Sequence, residues 1–286
     1  MARDFGPLTP GDAGVVAARV SAVLDDAWRR LAARQRAVLA AVADPRQARQ
    51  ITGRLAQFQA AIDDFRQRVD TEARAFVTGQ LPHLYEQGAQ NAAHATGGRF
   101  TWTLLHAQAL QSLASDTYAD FLARSQEEQR MASAFYRAVR AAARREIPLL
   151  AAGNMTARQA ARQLAQRLAA EHQLRHVVYR NGTRMPVQEW AEMATLTKSA
   201  VAYNTGTLNR SREAGVEWVE VFDGLGCGWT THTDPDKATG TLRTVEEAAS
   251  WPISHPRCRR GFGPRPDVDV VEVRDQFSRS RTARLP

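Results

Sequence analysis

At 286 residues and 31.6 kDa, with 44% hydrophobic and 24% charged residues, the chain can bury a sizeable core, and wholesale disorder is excluded. No stretch approaches the roughly 18 uninterrupted apolar residues of a membrane span, and Met1–Pro7 lacks an apolar signal core, so neither export nor a membrane partner is expected. The +8 net charge and pI near 10.2 invite a nucleic-acid reading, but residues 1–150 and 151–286 each carry 19 basic against 15 acidic residues, so the excess is spread thinly. The local exception is Arg257, Arg259, Arg260 and Arg265, which follow one another without an intervening acid. Lys198 and Lys237 are the only lysines, an arginine skew that fits a GC-rich genome better than phosphate recognition at every site.

The first half has helical periodicity. Val16, Val20, Val23, Ala27, Trp28 and Leu31 recur at helical spacing and continue through Val38 and Val42, until Asp44-Pro45 interrupts them. Ile51, Leu55, Phe58, Ile62, Phe65, Val69 and Phe76 then step by four and three, a bundle or coiled-coil seam in which Glu72 is the one miss. Such a stripe is usually core, and it names no partner. Leu81-Pro82 is expected to close the seam, and Gly88–Gly98, rich in Ala, Gly and Asn, reads as a hinge. Two more helices are expected at about Thr101–Arg124 and Glu127–Glu146.

The texture changes after Gly153. Thr156-Ala157-Arg158-Gln159 has the capping-box form and opens a helix to about Ala170. His176–Tyr179 and Arg184–Val187 flank Asn181-Gly182, a hairpin signal. A helix follows from about Gln188 to Arg212, and Val216–Phe222 alternates as a half-buried strand. Asp223–Arg243 reads as loop, and Thr244-Val245-Glu246-Glu247 caps a short helix that Trp251-Pro252 ends. The expected fold class is α+β. A mostly helical arm or bundle at 1–152 precedes a small α+β module at 153–273, with a β-hairpin and a loop-rich, zinc-compatible C-terminal region. Residues 274–286 read as a basic flexible tail.

Two cysteines cannot make the disulfide framework of a secreted scaffold. Cys227, His232, His255 and Cys258 form two pairs, Cys-x4-His and His-x2-Cys, whose ligand types suit a closed tetrahedral structural zinc. Buried free thiols, a turn role for His255 and a solvated His232 are the competing accounts, while a disulfide fits poorly with a reducing compartment. Asp234–Gly240 fails the ligand count of a calcium loop, since Ala238, Thr239 and Val245 stand where a ligand, glycine and glutamate are needed. There is no Gly-rich phosphate loop, no Gly-x-Ser-x-Gly elbow and no His-Glu-x-x-His. No catalytic residue and no organic cofactor are assigned.

Tyr179–Pro186, Trp190–Thr197, Tyr203-Asn204-Thr205-Gly206, Asp223–Thr230 and Pro252–Arg260 together resemble the central and closing blocks of the phage minor capsid (MuF-like head morphogenesis) proteins, over about residues 155–268. The most specific piece is His-Pro-x-Cys-Arg after an upstream Asp…Cys segment. Related sequences often carry a second upstream cysteine, absent here, and a last cysteine where Arg260 stands. The resemblance therefore carries a metal site to Cys227, His255 and Cys258, with His232 added from spacing alone. It implies a non-enzymatic minor head protein of a tailed phage, inside the capsid of the virion and in the host cytoplasm during assembly. Its implied partner is the portal protein, with scaffold, major capsid protein and packaged DNA (through scattered arginines) as further contacts, and its implied roles are head assembly, DNA packaging or ejection. The rival is a zinc-dependent nucleic-acid-binding or nuclease module with a helical oligomerisation arm. A contiguous basic face would favour that rival.

Overall fold

The structure, a computed structural model, describes residues 10–145, 155–172, 174, 177–178, 184–223 and 239–268. In order, the chain forms α1 (Pro10–Ala43), a 3-10 turn (Pro45–Gln50), α2 (Ile51–Ala75), a π turn (Phe76–Gln80), α3 (Leu81–Ala95) and α4 (Leu104–Arg145). It continues with α5 (Met155–Glu171), β1 (Val177–Val178), β2 (Arg184–Met185), α6 (Val187–Glu213), β3 (Trp218–Phe222), β4 (Leu242–Thr244), α7 (Val245–Ser250) and β5 (Gly261–Pro264). The α+β class expected from sequence is the one observed, with helix predominating. None of the described helices is long and apolar enough to cross a membrane.

Two compact units are present, each assembled from separated stretches. Ala17–Ala75 and Tyr118–Glu192 form a seam unit; Met1–Val16, Phe76–Thr117 and Met193–Pro286 form a sheet unit. The units part at other places than the change of texture near residue 152, and two of the boundaries fall inside α4 and α6.

In the seam unit the stripe of α2 is core. Ile51, Leu55, Phe58, Ile62, Phe65 and Val69 are all buried. Phe58 meets Phe135 of α4 edge-on at 5.1 Å, and Trp28 of α1 meets Phe65 at 5.4 Å. The miss at Glu72 has a physical cause: the buried row advances by four to Ala73 instead of three, a stutter in the heptad. That shift turns Glu72 to Arg19, whose Nη1 lies 3.0 Å from its carboxylate. Asp44 halts α1 and caps the 3-10 turn, its Oδ1 accepting the Arg46 N–H at 3.0 Å. The hairpin pairs Val177 with Met185 and Val178 with Arg184. A two-residue turn on Asn181-Gly182 would pair Val178 with Met185 instead; the turn itself lies outside the described residues.

Four expectations are corrected. Helical structure does not close at Leu81-Pro82: the π turn leads into α3, whose first turn accepts Pro82 because its missing N–H has no intrahelical partner there. Most of the supposed hinge is α3 itself, where Gly88, Ala89, Ala92 and Ala93 are buried. The two helices expected at 101–146 are one, since Ser125-Gln126 holds no Pro or Gly to break α4. And α5 begins at Met155, placing Thr156 within the helix rather than at its N-cap.

In the sheet unit a three-stranded antiparallel sheet has the order β4-β3-β5. The alternation read in Val216–Phe222 holds, with Val219 and Val221 buried against Leu208 of α6, Val245 and Ala248 of α7, and Phe262 of β5. The two flanking strands fell in sequence read as loop, because three or four residues are too few to show a period. Thr244 caps α7 as its motif predicts, Oγ1 accepting the Glu247 N–H at 3.1 Å.

The sheet unit is organised by a crossing of α3 and α6 that leaves no room for a side chain. A Cβ on Gly88 would collide with the Tyr203 carbonyl oxygen, and one on Gly206 with the Tyr85 carbonyl oxygen. Thr207 Oγ1 fits beside the crossing and donates to the Gly88 carbonyl at 3.1 Å. Gly206→Ala should destabilise the protein by about 1–3 kcal/mol through overpacking. Gly53→Ala in α2 serves as the opposite case, because nothing lies within 4 Å of a Cβ there. It should stabilise by about 0.5–1 kcal/mol through helix propensity. Chemical denaturation of the two variants checks both signs.

Candidate functional site

The segment His255–Arg260 is a built loop. The Cys258 N–H donates to the His255 carbonyl at 3.0 Å, closing a four-residue turn with Pro256 second and Arg257 third. Proline suits the second position of a type II turn, and Arg257, at φ 64, takes the positive-φ third position that glycine normally fills. A side chain in that region costs about 1–2 kcal/mol. Exposure alternates through the turn and after it: Arg257 and Arg259 are exposed, Cys258 and Arg260 are buried, and β5 begins at Gly261.

Three tethers hold this loop, each from a segment singled out in the sequence. Thr197 Oγ1 accepts the Arg257 N–H at 3.2 Å. Asn204 Nδ2 donates to the carbonyls of Pro252 at 2.7 Å and Arg260 at 2.8 Å, so one carboxamide ties α6 to the chain on both sides of the turn. The Arg260 guanidinium makes a two-pronged ion pair with Asp223, Nε to Oδ1 at 2.7 Å and Nη2 to Oδ2 at 3.2 Å. Those two side chains are 0% and 2% exposed. A desolvated pair of this geometry matches the planar fork of arginine to a carboxylate.

Two of the four expected metal ligands are the first and fourth residues of this turn. They are His255 and Cys258, while Cys227 and His232 lie outside the described residues. Cys258 is a free, buried cysteine. His255 Nδ1 lies 2.7 Å from the Pro256 carbonyl oxygen. In the neutral ring an N–H donated there puts the lone pair on Nε2, the arrangement of a metal-binding imidazole oriented by its backbone. Among the described residues no three His, Cys, Asp or Glu side chains are grouped to hold a metal ion.

The run of four arginines does not make a basic patch. Arg260 is turned inward to Asp223, and Arg265 is neutralised by Glu220 at 2.9 Å and Asp267 at 2.7 Å. Those two carboxylates hold the Arg265 guanidinium well above its usual range, Asp267 contributing most. Arg257 and Arg259 are exposed.

A second polar cluster in the sheet unit was not anticipated. Asn209 Nδ2 donates to Tyr85 Oη at 2.9 Å; Tyr85 Oη and His106 Nδ1 are 2.8 Å apart; His106 Nε2 and Glu213 Oε2 are 2.8 Å apart. Thr103 donates its hydroxyl to the other Glu213 oxygen. With the ring proton on Nε2, every donor in the row meets an acceptor. Burial pushes the Tyr85 hydroxyl up to about 12. Burial also pushes the Glu213 carboxyl up, but the Thr103 and His106 donors outweigh it and hold the group below its usual range. Tyr85 and His106 are fully buried and Glu213 at the end of the row is exposed, so the cluster joins α3, α4 and α6 from the interior outward. Scattered over helices, its members looked like ordinary polar face residues in the sequence.

The fold and site define a mostly helical α+β protein with an internally tethered loop. Residues 22–226 match the family model described as phage minor capsid protein 2, and the chain belongs to that family. It is a component of the phage virion, with other head components as its partners. The match takes in the N-terminal helices, which carry no motif, and stops before the His255–Arg260 loop. Comparison with curated proteins and with solved structures gives no match.

Arg260→Met would take the guanidinium fork away from the buried Asp223 carboxylate and should destabilise the protein by about 3–5 kcal/mol. Asp223→Leu combined with Arg260→Met should recover part of that loss, because no buried charge is left uncompensated. Denaturant midpoints for the single and double variants measure both effects.

Proposed function

We propose that this chain is a minor head protein that associates with the portal inside the capsid and assists head assembly, DNA packaging or ejection. The observation that carries this reading is the family match over residues 22–226, which spans stretches of both compact units. A role by binding rather than by catalysis accords with the polar groups: the Tyr85–His106–Glu213 row and the Arg260–Asp223 pair are consumed in joining elements. The nucleic-acid or nuclease rival is less supported, since two of the four clustered arginines are spent on internal carboxylates. Affinity capture with the tagged chain from infected-cell lysate should recover the portal protein. Recovery of major capsid protein without portal would move the site of action away from the portal vertex.

The reading includes a structural zinc held by Cys227, His232, His255 and Cys258, closed to water and without hydrolytic activity. Its support is the shared turn of His255 and Cys258 and the orientation of the His255 ring by the Pro256 carbonyl. Metal analysis of the purified protein should find about one zinc per chain, the content of one four-ligand site. Cys258→Ser should release the metal and loosen residues 223–267 while the seam unit stays folded. Protein free of zinc at full stability would make Cys258 a packing residue and the loop a turn kept for shape.

A further inference from the structure

We infer that Trp102 and Leu104, together with Arg99 and Arg210, dock a segment of another head protein that presents an apolar side chain next to a carboxylate. The reading rests on the chain's role as a head component. Among the described residues the large apolar side chains left exposed are Val15, Trp102, Leu104, Phe222 and Trp251. Trp102 and Leu104 are the two of them that stand two positions apart, at 47% and 72% exposure. They flank Thr103, whose carbonyl accepts the Ala107 N–H at 3.0 Å where α4 begins. Covering both would remove from water apolar surface that the fold itself leaves wet. Trp102 is exposed without being loose. Its indole stacks on Tyr85 with centroids 5.9 Å and planes 18° apart, and Phe100 meets it edge-on at 5.2 Å. The loop is pinned at both ends: the Gly98 N–H donates to the Ala93 carbonyl at 2.8 Å, and Thr103 donates its hydroxyl to Glu213. A tryptophan fixed before contact has little rotamer freedom to lose, and tryptophan and arginine are the residues that dominate binding energy at protein interfaces.

The charge of this corner selects the partner. A Cβ on Gly98 would lie 2.6 Å from Arg210 Nη2, so the guanidinium rests against the loop that carries Trp102. Among the described residues neither Arg210 nor the exposed Arg99 forms an ion pair, and Arg210 Nε has no hydrogen-bond acceptor. Glu213, three residues on, feels Arg210 only through its field, and its oxygens are spent on Thr103 and His106. Arg212 is taken by Glu246. Unpaired positive charge beside an apolar anchor is complementary to a carboxylate beside an apolar side chain. Duplex DNA fits less well, because its bases are stacked on one another and offer an indole no free face.

The test complements phage lacking the gene with full-length variants and measures the chain in proheads purified from infections in which packaging is blocked. Leu104→Glu and Leu104→Lys remove the same apolar group at an exposed position, so both should keep the parent's denaturation midpoint, as surface changes do. Leu104→Glu should lower uptake by about tenfold or more, because it also repels the partner's acid, and Leu104→Lys by no more than about threefold. Trp102→Ser should fall with Leu104→Glu. Uptake of Leu104→Glu at the parent level overturns the inference, whatever Trp102→Ser does. Equal losses from Leu104→Glu and Leu104→Lys overturn the acidic chemistry of the partner. Parent chain that enters DNA-filled heads but not these proheads makes nucleic acid the occupant, and purified parent chain that dimerises through Trp102 makes it a second copy; either result overturns the proposal. Parent chain absent from heads of every kind refutes the minor-head reading itself, a result distinct from variants that enter as the parent does.

Discussion

Two backbone carbonyl oxygens, those of Tyr85 and Tyr203, lie where side chains on Gly206 and Gly88 would have to be. That contact fixes the register of α6 against α3, and the rest of the sheet unit follows from it. With the helices locked at this height, Thr207 reaches the Gly88 carbonyl and Asn209 and Glu213 extend the row through Tyr85 and His106. Asn204 reaches the loop before β5, and Leu208 enters the core under β3. One helix thus holds three structures at once, and a shift of one residue would undo all of them. Glycine is required at both points because only the absence of Cβ permits the approach.

The loop from Pro252 to Arg260 shows how polar side chains do the work of a core where apolar residues are few. Backbone carbonyls at its two ends are met by a single carboxamide, and its one deeply buried charge is met by a two-pronged carboxylate. Pairs of this kind add little net stability over apolar packing but strongly penalise arrangements that separate them. The loop is therefore specified more than it is stabilised, as suits a segment that holds an arginine in a glycine conformation. The buried Arg260 also changes the meaning of the charge count. A run of four arginines in sequence gives two exposed residues in the fold, because Asp223 takes Arg260, and Glu220 and Asp267 take Arg265.

Periodicity and punctuation sufficed wherever the deciding contacts are local. The stripe of α2, the alternation of β3, the stop at Asp44-Pro45 and the cap at Thr244 each depend on neighbours within a few residues. The α+β class followed from them. Small residues misled at Gly88–Ala93, because Ala and Gly between apolar runs suit a hinge and a tight helix crossing equally well. Which of the two they make depends on a partner helix more than a hundred residues away. The same limit hid β4 and β5, which are strands only because β3 lies between them.

Sequence alone therefore determined the helical seam, the helix capped by Thr244, the alternating strand and a family resemblance resting on short motifs. Tertiary structure decided what those motifs are for: Thr197, Asn204 and Asp223 became tethers of one loop, and Arg260 an internal partner rather than a surface charge. It alone joined Tyr85, His106 and Glu213. The physical reason is range. Capping and amphipathic burial are written in spacings of two to four residues, whereas a hydrogen bond between residues separated by 37, 56 or 107 positions leaves no period to read.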